Sequence, residues 1–494
     1  MEKKWILVCD EYKGLQGKAV NVISRTFDSL MNEVLPVLEF SEANEDELKA
    51  NNLIIVGEGK NTGLVGKLVA EGKIGVATEE QSYTVSVRES EFNTRNQCVI
   101  VAGSDERGVL YGAEDFCNRY CGSLIFKNGL YDMMFTDYFK KPFDFRLPEW
   151  NISETPVLKE RGIWSWGHVI YDYKAFFENM ARLRLNEAVI WNDYVPINAN
   201  SVVEYAHSLG IKVIWGFPWG WDTDCNTATA LDEDSLIKLK QSIIEKYEKE
   251  YLGTKGDGIY FQSFTELSTE YIGDKLIAET VVNFVNDVAG ELLSKYPDLQ
   301  LQFGLHSDSV KNRLGIISKV NPKVSIIWEN CGGFPYDGYW SDLNADNETG
   351  NFSEAVELTE KTAVLRGEKD KYGVVIKAMT SLDWKRFVHQ RGRYVLGEYD
   401  RDFIENRSRE KDKIWKQRQA LWIKHAEKAK KIISLMSEKN KNANVMGLVE
   451  DGMLEFKISL PAAIFAELVW NPLRNTEDVI YDAMRYHCVK TANN

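Results

Sequence analysis

Short apolar segments that alternate with amphipathic stretches predict an α/β chain: a (β/α)8 TIM barrel preceded by a small N-terminal α/β domain. Three observations carry that expectation. The alternation starts near residue 158 and repeats eight times, the pattern of parallel βαβ units. The eight units occupy roughly 320 residues, a span that suits one barrel with its helices. The 494-residue chain is too long for one ordinary core, and no internal repeat or low-complexity tract competes. The predicted division is 1–145 for the N-terminal domain and 146–494 for the barrel with its C-terminal helices. The stretch 139–158, "FKKPFDFRLPEWNISETPVL", is the expected connection.

In the first domain, Trp5–Cys9 and Leu53–Val56 read as buried strands followed by turn residues. Residues 82–88 alternate like a half-exposed strand. The run from Cys98 to Phe116 then reads as strand, Gly turn and helix. Its spacing is neither GxGxxG nor GxxxxGK[ST], so a tight strand-to-helix turn is the expected reading, rather than a nucleotide cradle.

The barrel strands are expected at Gly162–Trp166, Ala188–Trp191, Lys212–Trp215, Gly258–Gln262, Gln300–Leu305, Val324–Trp328, Val374–Ala378 and Val445–Leu448. The helices are expected at 171–183, 199–209, 232–251, 275–295, 308–319, 353–365, 409–438 and 457–467.

Composition narrows the partners. A net charge of −14 argues against nucleic acid, which needs a basic surface. No stretch approaches the ~18 apolar residues of a membrane span. The apolar run Trp5–Val8 is shorter than a signal peptide requires. The seven cysteines are scattered with no CxxC pair, which points to buried, reduced thiols and a cytoplasmic protein. No HExxH, paired Cys or carboxylate cluster at ligand spacing appears, so neither metal nor cofactor is expected. No GxSxG nucleophile elbow is present. The expected partner is an oligosaccharide or glycoside, and assembly as a homo-oligomer is compatible with these features.

A TIM barrel places its active site at the C-terminal ends of the strands. The first strand ends in Trp164, Trp166 and His168, and the second in Trp191, Asn192 and Asp193. The third ends "WGFPWGWD", with Trp215, Trp219, Trp221 and Asp222. The fourth, "GDGIYFQSFTEL", ends on Glu266, and the fifth on His306 and Asp308. The sixth ends "WENCGGFPYDGYW", with Trp328, Glu329, Asn330, Tyr336 and Trp340. The seventh offers Asp383 and Trp384, and the eighth Glu450 and Asp451. Nine of the 14 Trp thus fall at strand ends, beside several carboxylates. Indole faces stack on the C–H faces of sugars, while carboxylates, Asn and His bind hydroxyls. Two carboxylates among such residues suit glycoside hydrolysis, one protonating the leaving oxygen and the other acting as base or nucleophile. Glu266 and Glu329 are the expected pair. Asp193, Asp222, Asp308, Asp383 and Asp451 read first as helix caps or first-turn residues. His306 divides evenly between sugar contact and packing.

"VIVAGSDERGVLYGAEDF" resembles the end of the N-terminal domain that precedes the barrel in glycoside hydrolase family 67, the α-glucuronidases. Similar domains precede the barrels of β-N-acetylhexosaminidases. "RGIWSWGHVIYDYKAFFENMARLRLNEAVIWND" and "AHSLGIKVIWGF" are similar to the first barrel units of those enzymes, and "AELVWNP" to a barrel-closing segment. "GDGIYFQSFTEL" resembles the fourth-strand segment that carries the general acid, which implies that role for Glu266. Two features depart from these families. Glu329 comes earlier than the α-glucuronidase base on the sixth strand. Thr265 stands where hexosaminidases have the Asp of an adjacent Asp-Glu pair. The resemblance implies a glycosidase nearest the α-glucuronidases. A β-N-acetylhexosaminidase or endo-N-acetylglucosaminidase with substrate assistance is the alternative. In the latter, Glu329 would orient an acetamido substrate. Lys377 and Arg386 are candidate carboxylate binders. A non-catalytic carbohydrate-binding barrel and a metal-dependent barrel hydrolase or isomerase stand further off.

Overall fold

A computed structural model describes residues 4–31, 34–121, 147, 149–220, 231–265, 267, 269–306, 309–329, 351–377, 379, 390 and 392–488. The chain divides into two compact units: residues 1–156 with 208–210 and 481–494, and residues 157–207 with 211–480.

In the first unit, all five residues of β1 (Trp5–Cys9) are buried. Continuous burial is what a parallel strand with both faces covered requires. The sheet adds β2 (Val37–Glu39), β3 (Asn52–Glu58), β4 (Tyr83–Glu89), β5 (Gln97–Gly103) and β6 (Trp150–Glu154) in the order β2-β1-β3-β5-β4-β6. β4 runs antiparallel to both β5 and β6. Helices Gly14–Met31, Glu45–Ala50, Leu64–Ala70 and Glu106–Phe116 complete the described part. β6 corrects the expected connection at 139–158. Its side chains alternate in burial and pair Ile152 with Val85, so the sheet continues past the expected boundary at 145. Asp105 supports the reading of 98–116 as a structural turn. Its carboxylate accepts the Gly108 N–H at 2.8 Å and the Gln81 N–H at 2.8 Å. The helix N-terminus is thereby capped by the chain's own anion. Burial pushes the Cys9 and Cys98 thiols up to about 12, far from nucleophilic range.

The second unit is a closed barrel of eight parallel strands. They are β7 (Glu160–Trp166), β8 (Glu187–Trp191), β9 (Lys212–Gly216) and β10 (Gly258–Gln262). After the small antiparallel pair β11 (Tyr271–Ile272) and β12 (Lys275–Leu276) come β13 (Gln300–Leu305), β14 (Val324–Trp328), β15 (Tyr372–Ile376) and β16 (Asn444–Leu448). All eight expected strands are present. β15 begins two residues early because Gly373 is registered against Asn444. The helix expected at 308–319 shrinks to Leu314–Ile317 among the described residues. There Ser309 Oγ donates to the Leu267 carbonyl, while Asn312 and Arg313 bind Glu270, so the segment serves as a turn against the loop after β10. The helix expected at 457–467 runs Leu460–Trp470, with Pro461 pre-setting its first turn.

The barrel closes at its base on two buried guanidinium groups. Arg161 donates to the Arg184 carbonyl at 2.8 and 3.0 Å. Both guanidiniums lie over the Trp470 ring, at 5.0 and 4.4 Å. Glu467 pairs with Arg184 and, at 2.8 Å, with Arg474. The "AELVWNP" motif therefore covers both guanidiniums with Trp470 and pairs Arg184 with Glu467. Inside the barrel lie Trp164, Val189, Trp191, Ile214, Tyr260, Ile327, Val375 and Met446. Beneath them, Glu187 accepts from Gln302 at 2.9 Å and Asn444 at 2.7 Å. No described helix is long and apolar enough to cross a membrane.

Glu455 lies buried in the short helix Met453–Phe456 and accepts the Tyr171 N–H at 2.6 Å. Burial outweighs that hydrogen bond and pushes its carboxyl up to about 8. The folded protein thus holds a proton that the unfolded chain releases near 4.5. The associated stability is complete below that value and is lost as pH rises through about 8. Glu455→Gln keeps an acceptor without the titration. Relative to wild type its melting temperature should rise progressively from about pH 4.5 to about pH 8 and hold a constant margin above that, read by calorimetry across pH.

Candidate active site

The barrel's alternation decides which side chains reach its mouth. In β10, Tyr260 belongs to the inner core, so Gln262 points inward as well and Phe261 outward. In β14, Ile327 points inward, so Glu329 does too, while Trp328 faces the helices. At this level the inward residue of β13 is Gly304, one step above the inward Gln302. A Cβ there would lie 2.1 Å from Glu329 Oε1 and 2.5 Å from Tyr260 Oη. The space that a side chain would fill is taken by a carboxylate and a phenol.

Glu329 is 5 % exposed and makes four polar contacts. Oε1 accepts from Tyr260 Oη at 2.5 Å and Gln262 Nε2 at 2.7 Å. Oε2 lies 2.6 Å from Gln262 Nε2 and 2.8 Å from His306 Nε2. Burial opposes ionisation of this carboxyl. The charge and hydrogen bond of His306, the Lys377 ammonium and the Tyr260 hydroxyl outweigh it and hold the pKa at about 2. Glu329 is therefore an anion at every ordinary pH. Its hydrogen-bond donors come from the ends of β10 and β13, which the parallel pairing of β10, β13 and β14 brings beside it.

The expected tryptophans separate into two groups. Trp164 and Trp191 stack at 6.1 Å, each edge-on to Tyr260, and form an aromatic floor inside the barrel. Trp166 stands edge-on above Trp164 at 4.6 Å and is only partly buried. Trp215, Trp219 and Trp328 are not brought to the mouth. Trp215 donates to Thr254 Oγ1 at 3.0 Å behind the sheet. Trp219 is fully buried and stacked on Phe261 at 3.6 Å, which stacks in turn on Phe303. The odd–even alternation of β9 and β14 sends Trp215 and Trp328 into the helical layer, and Trp219, beyond β9, joins them by stacking on the outward Phe261.

Asn192 and Asp193 are buried at the end of β8. Lys246 donates to the Asp193 carbonyl and lies 5.3 Å from the Phe217 ring. Glu450 is buried beyond β16, on the inward parity of Met446 and Leu448. Asp451 faces away and is structural. Tyr171 Oη donates to it at 3.0 Å, and Arg407 and Lys411 pair with it. His168 sits half-buried in the turn Gly167–Val169 after β7. Glu266, Trp221, Asp222, Asp308, Asn330, Tyr336, Trp340, Asp383, Trp384 and Arg386 lie outside the described residues. The turn leading to Glu266 is strained. Phe264 has φ +35°, a conformation rare for a bulky residue. Its ring packs against Gly220, where a Cβ would lie 2.5 Å from Phe264 Cζ. Such strain is held in place by its surroundings and gathers at functional sites.

Tyr260 and Gln262 were not among the expected site residues. The signal was present in "GIYFQ": a Gln sharing the inward parity of a barrel strand needs a polar partner inside. Among the described residues, no group of three or more His, Cys, Asp or Glu is placed to hold a metal ion.

No protein-family model matches the chain, and no curated protein matches its sequence. Several solved structures align with it. One is CpGH84D, at 11 % identity over 98 % of this chain and 89 % of that one, TM-score 0.42. A GH18 chitinase from Cycas revoluta in complex with (GlcNAc)3 aligns at 11 % identity over 64 % of this chain and all of that one, TM-score 0.35. The spore cortex-lytic enzyme SleL of Bacillus megaterium aligns at 13 % identity over 64 % and 76 %, TM-score 0.34. At these scores nothing about activity transfers to this chain.

Two substitutions test the geometry. Gly304→Ala places a methyl against Glu329 and Tyr260 and should destabilise the fold by about 1–3 kcal/mol in chemical denaturation, as overpacking does. Glu329→Gln leaves His306 and Lys377 without their anion, and at neutral pH should cost about 3–5 kcal/mol. The wild-type carboxyl has its pKa lowered on folding from 4.5 to about 2. Its stabilisation is present above 4.5 and lost as pH falls toward 2. The acid limb of stability against pH should be flatter in Glu329→Gln.

Proposed function

We propose that the chain is a glycoside hydrolase that cleaves an O-glycosidic bond in an oligosaccharide or glycoconjugate. The observation that carries this reading is the buried, ionised Glu329 at the C-terminal end of β14. It is shared by Tyr260, Gln262 and His306 over an aromatic floor of Trp164 and Trp191. A fixed anion beside apolar rings provides for both faces of a sugar: rings for its C–H surface and polar groups for its hydroxyls. In this reading Glu266, four residues beyond Gln262, is the general acid that protonates the leaving oxygen, and Glu329 is the anionic group opposite. Trp166, His168, Asn192, Asp193 and Glu450 contribute binding contacts, joined by Trp221, Asn330, Tyr336, Asp383 and Trp384. The buried thiols suit a reducing compartment, and we place the protein in the cytoplasm.

Two substrate classes follow from the sequence resemblance. α-Glucuronides are the first, with Lys377 available to a uronate carboxylate. N-acetylhexosaminides are the second, and one observation favours them. Both oxygens of Glu329 are fully engaged, which suits chemistry whose nucleophile is the substrate's own acetamido oxygen.

The test is a panel of aryl glycosides spanning α-glucuronide, β-N-acetylglucosaminide, β-N-acetylgalactosaminide and α- and β-hexosides, with and without chelator. At least one should be cleaved, chelator notwithstanding. Glu266→Gln should lower kcat about 10²–10⁴-fold on aglycones that need protonation, and far less on dinitrophenyl glycosides, which leave unaided. A chain that cleaves none of them but still binds sugars would be a carbohydrate-binding barrel.

A further inference from the structure

We propose that Glu329 is a positioning residue, and that the residue it positions, His306, is the one that touches the substrate on this side of the barrel mouth. The inference rests on the glycosidase reading above and assigns the roles within it.

A carboxylate that attacks an anomeric carbon needs a lone pair directed into the cleft. One that activates water needs a pKa near the working pH. Glu329 offers neither. Tyr260, Gln262 and His306 occupy both of its oxygens, and it stays ionised far below neutrality. It is also the more deeply placed of the pair, its side chain 7 % exposed against 17 % for His306. An ionised carboxylate only accepts hydrogen bonds, so His306 Nε2 must carry a proton to lie 2.8 Å from it. The Gln262 amide, 3.4 Å from the same nitrogen, donates to the same carboxylate rather than to the ring. Glu329 thus holds the proton on Nε2 and sets the orientation of the ring. The ring is further tied to the end of β10 by its own backbone, whose N–H donates to Thr265 Oγ1 at 3.3 Å. Thr265 immediately precedes Glu266 in the sequence. The Lys377 ammonium also faces Glu329.

The two residues should act as one unit. Kinetics of His306→Gln, Glu329→Gln and the double variant on the best glycoside of the panel would show it. Each single change is expected to lower kcat/KM about 10²-fold or more, chiefly through kcat, and the double variant to fall within about threefold of His306→Gln alone. Losses that multiply in the double variant would mean that Glu329 acts on the substrate itself, which overturns the assignment. So would recovery of a sugar ester on Glu329 after reaction with a 2-fluoro glycosyl fluoride. A second measurement needs no turnover and no change at Glu329: ¹⁵N-histidine NMR of the wild-type protein. His306, identified by its loss in His306→Gln, should carry its proton on Nε2. A neutral ring protonated at Nδ1 overturns the proposal. Because that spectrum needs no substrate, a chain that cleaves no glycoside would defeat the functional reading while this result still decides the Glu329–His306 arrangement.

Discussion

The ionised carboxylate of Glu329 is the point on which the upper half of the barrel depends. An anion taken out of water is costly, and only full engagement of its oxygens offsets that cost. Three strands supply the engagement: Tyr260 and Gln262 from β10, His306 from just beyond β13, and Glu329 itself from β14. β10, β13 and β14 are adjacent in the sheet, so the pairing of these three strands brings the donors to the carboxylate. Strand pairing and satisfaction of the anion therefore support each other, and Gly304 on the middle strand is the vacancy that lets Tyr260 and Glu329 meet across it.

The rest of the unit holds this cluster in place from below and from the side. At the base, the Arg161 and Arg184 guanidiniums both pack on the Trp470 ring, with Glu467 as counter-charge to Arg184, and fix the start of the first two strands. Midway, the interlocked rings of Trp164, Trp191 and Tyr260 fill the lumen, so the phenol of Tyr260 has one place to go. At the rim, strand ends are tied down individually. Lys246 binds the Asp193 carbonyl after β8, and Arg407 and Lys411 hold Asp451 after β16. The strained turn at Phe264 is clamped against Gly220. Groups fixed by such a scaffold meet a substrate without first having to be ordered, which is how a rigid barrel lends itself to catalysis.

Much of the architecture was legible because it is written in short-range patterns. Five-residue apolar strands between amphipathic helices are local signals, and three barrel strands, at Gly258–Gln262, Gln300–Leu305 and Val324–Trp328, lie where the pattern puts them. β6 was missed because its alternating, half-exposed residues look like a polar connection until β4 is placed beside them. The candidate site was legible only in part. Strand ends pointed to Glu329 and His306, which meet at 2.8 Å. The same rule also swept in Trp215, Trp219 and Trp328, which face the helices. Proximity to a strand end does not determine direction; parity does, and parity needs one inward residue as reference.

The amino-acid sequence by itself determined the (β/α)8 class, the order of its units and the carboxylates available at its rim, because periodicity and residue type act over a few residues. Tertiary structure alone decided which side chains share a space and in which ionisation state. That Glu329 is a saturated anion rather than a free carboxylate follows from Tyr260, Gln262, His306 and Lys377. These lie 69, 67 and 23 positions before it and 48 after. An ionisation equilibrium is set by the charges, donors and water within a few ångströms, and only the closed barrel determines what those are.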